Sequence, residues 1–303
     1  MTLRTPNPTV NQNLLLDLQR NKERIAVLQE QIATGKRITR LSDDPAGSAM
    51  ILDFQTSIDR NSAFIQQADA ALSFLSGAEL ATRSLSDGIT RLLEIGQQGL
   101  TGPTGANGRA ALSQEVDGIR SNFLAISNTQ EQGKYLFSGT ATLTVPFSGP
   151  SAGPITYAGN AGIVSLDVSK AYSVATNLPG STLFFGPGGQ GSSTDLFQAV
   201  TDLRDGLTTN NVGQIQTAYT NLQGILARVN QSTTDLGGRQ SSLNDLKSTL
   251  ADVNLDLQSV LNTKEQLDYP KAVTEFSTEQ TVQQATLSTL SRVNQKNLFD
   301  YLG

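Results

Sequence analysis

The chain has 303 residues, of which 37% are hydrophobic and only 6% aromatic, so a large globular core is not expected. It contains neither Cys nor His, which removes thiolate nucleophiles, imidazole bases and Cys/His metal sites, and leaves the redox compartment open. The formal net charge of -5, with no basic block, argues against nucleic acid as a partner.

Heptad spacing dominates the start of the chain. Leu14, Leu18, Ile25, Leu28 and Ile32 predict a helix over residues 11–34, and Gly35 stands where a C-terminal cap belongs. Asp43 and Asp44 then precede Pro45. Adjacent carboxylates invite a metal or acid-base reading, but no third ligand lies near, and Asp followed by Pro opens a helix. Lys36, Arg37 and Arg40 beside this Asp pair form a mixed-charge turn rather than a phosphate-tracking stripe.

From Ala46 the apolar positions Ile51, Phe54, Ile58, Ile65, Ala68, Leu72 and Leu75 keep seven-residue spacing. They then drift to Ala78, Leu85, Ile89 and Leu92, as on a straight helix. Residues 99–108 read as a turn, and Leu112, Val116, Ile119, Phe123 and Ile126 as a helix returning beside the second. Asn21 and Asn61 fall at seam positions. There they are either tolerated on a solvated stretch or control register.

The period changes at Gly133. Residues 139–194 are rich in Gly, Pro, Ser and Thr, with short β-prone runs at residues 145–147, 155–157, 163–168, 172–174 and 183–185. Tyr135, Phe137, Tyr157, Tyr172 and Phe184 are expected to form the small core of this insertion rather than a sugar-binding platform. Residues 186–193 mimic part of a phosphate-binding loop, yet Ser192 stands where its lysine should be. Asp167, Asp195, Asp202 and Asp205 could be imagined as hydrolytic carboxylate pairs; capping and solvation account for them more simply.

Asp195 is expected to cap a helix carrying Leu196, Val200, Leu203 and Leu207. A long seam follows through Leu222, Ile225, Val229, Leu236, Leu243, Leu246, Leu250, Val253, Leu257 and Val260. The final helix, expected from about residue 271, carries Val273, Phe276, Leu287, Leu290, Leu298 and Tyr301, and is interrupted by Gln280, Gln283 and Asn294. No stretch is long and apolar enough to suggest membrane insertion, and residues 1–10 do not read as a secretory signal.

Four segments in order resemble one family. Gln31-Ile-Ala-Thr-Gly35-Lys-Arg37-Ile38 followed by Ser42-Asp43-Asp44-Pro45-Ala46-Gly47 is similar to the N-terminal turn of the bacterial flagellin superfamily. Residues 133–140 (GKYLFSGT), 236–243 (LGGRQSSL) and 297–302 (NLFDYL) point, within it, to the hook-associated protein 3 group of hook-filament junction proteins. Leu41, where that pattern often has Pro, is the one departure.

The resemblance implies a mainly α fold with a β-rich insertion, built as flagellin-like layers of antiparallel long helices. Residues 1–42 and 268–303 would form an inner terminal coiled coil, 43–138 and 195–267 a helical bundle, and 139–194 a small outer β domain. It further implies a structural, non-enzymatic subunit without cofactor, outside the cell in the flagellum and exported without a cleaved signal peptide. Its partners would be hook-associated protein 1, flagellin and further copies in a ring at the hook tip, with an export chaperone binding the C-terminal region. The assembly surface would be the terminal stripes and the turn residues Gly35, Arg37, Asp43, Asp44 and Pro45. A filament flagellin is the near alternative, and a secreted carbohydrate-binding protein acting through residues 139–194 is the alternative of another class.

Overall fold

The computed structural model describes residues 8–40, 42–101, 105–150, 153–169 and 172–302. Among the described residues six α-helices carry the architecture: α1 (Pro8–Thr34), α2 (Pro45–Thr101), α3 (Ala106–Ser127), α4 (Leu196–Thr208), α5 (Val212–Glu265) and α6 (Tyr269–Leu302). Between α3 and α4 lie six short strands, β1 (Gln130–Glu131), β2 (Lys134–Tyr135), β3 (Phe147–Ser148), β4 (Thr156–Tyr157), β5 (Ser165–Ser169) and β6 (Tyr172–Ala175). They pair as three separate antiparallel ribbons, β1-β2, β3-β4 and β5-β6. The chain divides into two compact units, one of residues 1–61 with 252–303 and one of residues 62–251.

In the unit of residues 62–251 the α2 stripe is buried as its spacing predicts, with Leu75, Leu85, Ile89, Leu92 and Ile95 at 0% exposure. Leu222, Ile225, Val229, Leu236 and Leu243 of α5 join them. On α3 the buried positions are Ser113, Val116, Arg120, Phe123 and Ser127, so the expected face is rotated and Leu112, Ile119 and Ile126 sit at its margin.

The segment 139–194 adds to that same hydrophobic cluster rather than enclosing one of its own. Phe137, Phe147, Phe184 and Phe197 pack with ring centroids 4.8–5.9 Å apart, and Phe197 belongs to α4. Residues 183–185, expected to be extended, instead close a π-helical turn, Ser181–Phe185, with all three side chains buried. A strand would present them alternately to two faces; the turn sends all three inward. The Tyr172 side chain lies outside the described residues.

Three arginines hold this segment to the helices by its backbone carbonyls. From α3, Arg120 donates to the carbonyl oxygens of Pro150, at 3.0 Å, and Gly153. Arg228 on α5 donates to Leu183 O at 3.1 Å and Thr194 O at 2.7 Å, and Arg239 to Asn177 O at 3.0 Å. Irregular backbone has no ladder to satisfy its carbonyls, and a guanidinium supplies several donors in one fork. Arg239 lies within the LGGRQSSL segment, which gives that motif a structural task.

The GKYLFSGT segment has one as well. Phe137 is fully buried. Gly139 takes φ +70° with the Asn160 carbonyl oxygen 2.2 Å from where a Cβ would stand, a site open to glycine alone.

Candidate assembly site

In the unit of residues 1–61 and 252–303, α1 and α6 pair antiparallel. Leu14, Leu18, Ile25, Leu28 and Ile32 are all half-buried along α1, with Asn21 buried among them, so the seam advances by alternating steps of four and three. On α6 the covered positions are Ala272, Phe276, Glu279, Gln283, Thr286 and Leu290. Phe276 and Leu290 are among the covered positions. Val273 and Leu287, expected with them on the assembly surface, are each 48% exposed on another face. The backbone is helical at Leu298 and Tyr301, whose side chains lie outside the described residues.

The difference on α6 has a physical cause. Apolar residues alone fix no single heptad frame there, and the bond from Asn21 Nδ2 to Glu279, reaching its carbonyl oxygen at 3.1 Å and its carboxylate, selects the frame containing Glu279 and Gln283. Arg24 meets the same carboxylate at 3.2 Å. A polar interruption in the sequence is therefore part of the seam in the structure.

The motif turn ties four helix ends together. Gly35 ends α1 at φ +71°, and its carbonyl accepts from Leu267 N at 3.0 Å while Arg37 N donates to Glu265 O at 2.7 Å. Lys36 pairs with the Glu265 carboxylate at 3.0 Å. Arg37 meets Asp44 at 3.3 Å, and Asp44 Oδ1 accepts from Gly47 N at 2.8 Å, so Asp44 caps α2. That amide bond is the main cause holding the Asp44 carboxyl below its ordinary range, with Arg37 adding to it. Asp43 accepts from Arg40 N at 3.0 Å. Pro45 opens α2, and Asp268 caps α6 by accepting from Lys271 N at 3.1 Å, with Tyr269 and Pro270 in the first turn of the last helix.

The seam of α5 departs from expectation at its far end. Burial follows Asn254, Leu257 and Leu261, leaving Val253 and Val260 41% and 43% exposed. Asn61 Nδ2 donates to Asn254 Oδ1 at 3.0 Å and so sets that frame. Met50, Leu52, Leu255 and Val282 in the same unit are also exposed.

The alternative chemistries meet occupied groups. Asp195 accepts from Gly191 N at 2.7 Å and from Phe197 N at 2.9 Å, so its own carboxylate fills the amide nest of the glycine-rich loop and of α4. Burial pushes its pKa up, against those bonds and Arg228. Asp202 accepts from Gln198, and Asp205 from Arg204; the Asp167 side chain lies outside the described residues. Phe137 and Phe184 are fully buried and present no platform to a sugar. Among the described residues no group of three His, Cys, Asp or Glu could hold a metal, and no helix is long and apolar enough to cross a membrane.

Both ends of the chain match family models: residues 7–142 the bacterial flagellin N-terminal helical region, and residues 219–302 the C-terminal helical region. The chain belongs to the bacterial flagellin family. Among curated members of this family, flagellar hook-associated protein 3 of Salmonella typhimurium (strain LT2) is 25% identical, over 90% of this chain and 91% of its own. Flagellin FlaB2 of Treponema pallidum is 23% identical over 88% and 87%. A solved structure of a putative flagellar hook-associated protein from Vibrio parahaemolyticus superimposes with a TM-score of 0.67, at 21% identity, over 74% of this chain and 100% of that one. The flagellar junction protein of Legionella pneumophila gives 0.56 at 18% identity, over 73% and 100%, and so shares the fold.

Proposed function

We propose that this flagellin-family chain is a structural, non-enzymatic subunit of the bacterial flagellum, standing at the junction of hook and filament. The observation that carries the reading is its similarity to hook-associated protein 3 along nine-tenths of both chains. A terminal helix pair with uncovered apolar residues supports it. Val273, Val282 and Leu287 on α6, and Met50, Leu52, Val253, Leu255 and Val260 elsewhere in the same unit, remain 41–64% exposed in the single chain. Exposed apolar rows on long helices are relieved by association, each covered side chain contributing about 1.5–3 kcal/mol.

In this reading residues 1–42 and 268–303 form the inner coiled coil with neighbouring copies, residues 43–138 and 195–267 a helical bundle, and residues 139–194 a small outer domain. The assembly surface is the α1 stripe from Leu14 to Ile32, the α6 positions Val273, Phe276, Leu287, Leu290, Leu298 and Tyr301, and the Gly35–Pro45 turn. Hook-associated protein 1 lies on one side of the ring and flagellin on the other. The protein reaches the cell exterior through the flagellar export channel, with a chaperone on its C-terminal region.

Electron microscopy of flagella from a strain lacking the gene tests this. Hooks should persist, filaments should be missing and flagellin should appear in the medium. The likeness to FlaB2 favours a filament subunit as second reading; purified protein that polymerises into long filaments would establish it and end the junction reading.

A further inference from the structure

The two helix pairs of the terminal unit bury polar groups where a coiled-coil seam ordinarily buries apolar ones. Asn21, 6% exposed, sits between Leu18 and Ile25 and bonds to Glu279 across 258 residues of sequence. Asn61 bonds to Asn254, 8% exposed, across 193 residues. Stability alone does not explain this choice. Asn21 Oδ1 is buried with no hydrogen-bond partner among the described residues, a cost that Leu at the same place would not carry.

What these pairs supply is discrimination. The other α1 seam residues are all Leu or Ile, so on the α1 side a slide of one heptad only puts one aliphatic side chain where another stood. The same slide carries Asn21 from Glu279 to Ala272 or Thr286 and leaves the Glu279 carboxylate facing an aliphatic neighbour. We infer that Asn21–Glu279 and Asn61–Asn254 are register and partner locks. Each fixes a long helix pair at one alignment within its own chain and penalises slipped pairing or pairing with another apolar helix. This goes beyond the junction reading and does not depend on it.

The full chain has no cysteine, so an introduced pair reports alignment directly. Antiparallel pairing through Asn21 and Glu279 sets Ile25 opposite Phe276. Ile25→Cys with Phe276→Cys therefore reports the native register, and Ile25→Cys with Gln283→Cys a slip of one heptad. Under mild oxidation the first pair should form an intrachain disulfide about tenfold more readily than the second. Adding Asn21→Leu and Glu279→Leu should bring the two yields within about twofold and raise the proportion of interchain disulfide. Asn21→Ala with Glu279→Ala, which removes the lock without adding bulk, should loosen the preference too and serves if the Leu variant does not fold. A native-register preference that survives both replacements, or that is absent from the unreplaced chain, overturns the inference.

Discussion

At Gly35 the backbone turns left-handed with Tyr269 Oη 2.8 Å from the place of a Cβ, so two independent constraints meet on one residue. Gly35→Ala should destabilise the terminal unit by about 1–3 kcal/mol, read as an earlier thermal transition in circular dichroism. Asp44 gives the same turn a pH dependence. Its folded pKa lies below the unfolded value, so its contribution is present above about pH 4 and is lost as pH falls through the lowered value. Melting temperatures of the parent and of Asp44→Asn should therefore converge on acidification. Asp195, raised by burial, has the opposite sign and contributes most below its unfolded pKa. The roles of Asp44 and Asp195 as caps were legible from sequence position alone. Those of Arg120, Arg228 and Arg239 were not, because the carbonyls they hold lie 30 to 62 residues away on irregular backbone.

Among the elements, α5 shows how far a periodic stripe can be trusted. From Leu222 to Leu243 spacing and burial agree, whereas Leu246 is only half-buried and Val253 is exposed. Leu243→Asp should therefore cost several kcal/mol, roughly 3–5, in urea unfolding, and Leu246→Asp clearly less. Equal losses would show that the seam at Leu246 is as closed as at Leu243. At the end of α5 and at Val273 and Leu287 of α6 the covered face differs from the apolar stripe for one reason. A sequence scan counts apolar residues, and here buried amides and a carboxylate choose the frame. The turn at residues 181–185 was misread for another: Leu-Phe-Phe favours strands locally, but one packed core takes all three side chains together.

For the molecule as a whole, every member of the main hydrophobic cluster falls between Ala68 and Leu246, inside the unit of residues 62–251. That stretch, produced alone, should unfold cooperatively with a largely helical spectrum. A broad, non-cooperative melt would show that it needs the terminal helices. The terminal unit differs in that its α1–α6 seam is only half-buried, as suits a part that others complete. The sequence by itself determined the long helices, the caps at Gly35, Asp44 and Asp195, the β-rich interruption and the family, because periodicity, capping and ordered motifs are local properties of the chain. Only the tertiary structure decided which face of α6 meets α1, that residues 139–194 share the bundle's core, and which carbonyls the arginines hold. Those depend on hydrogen bonds between residues far apart in sequence, which no local spacing records.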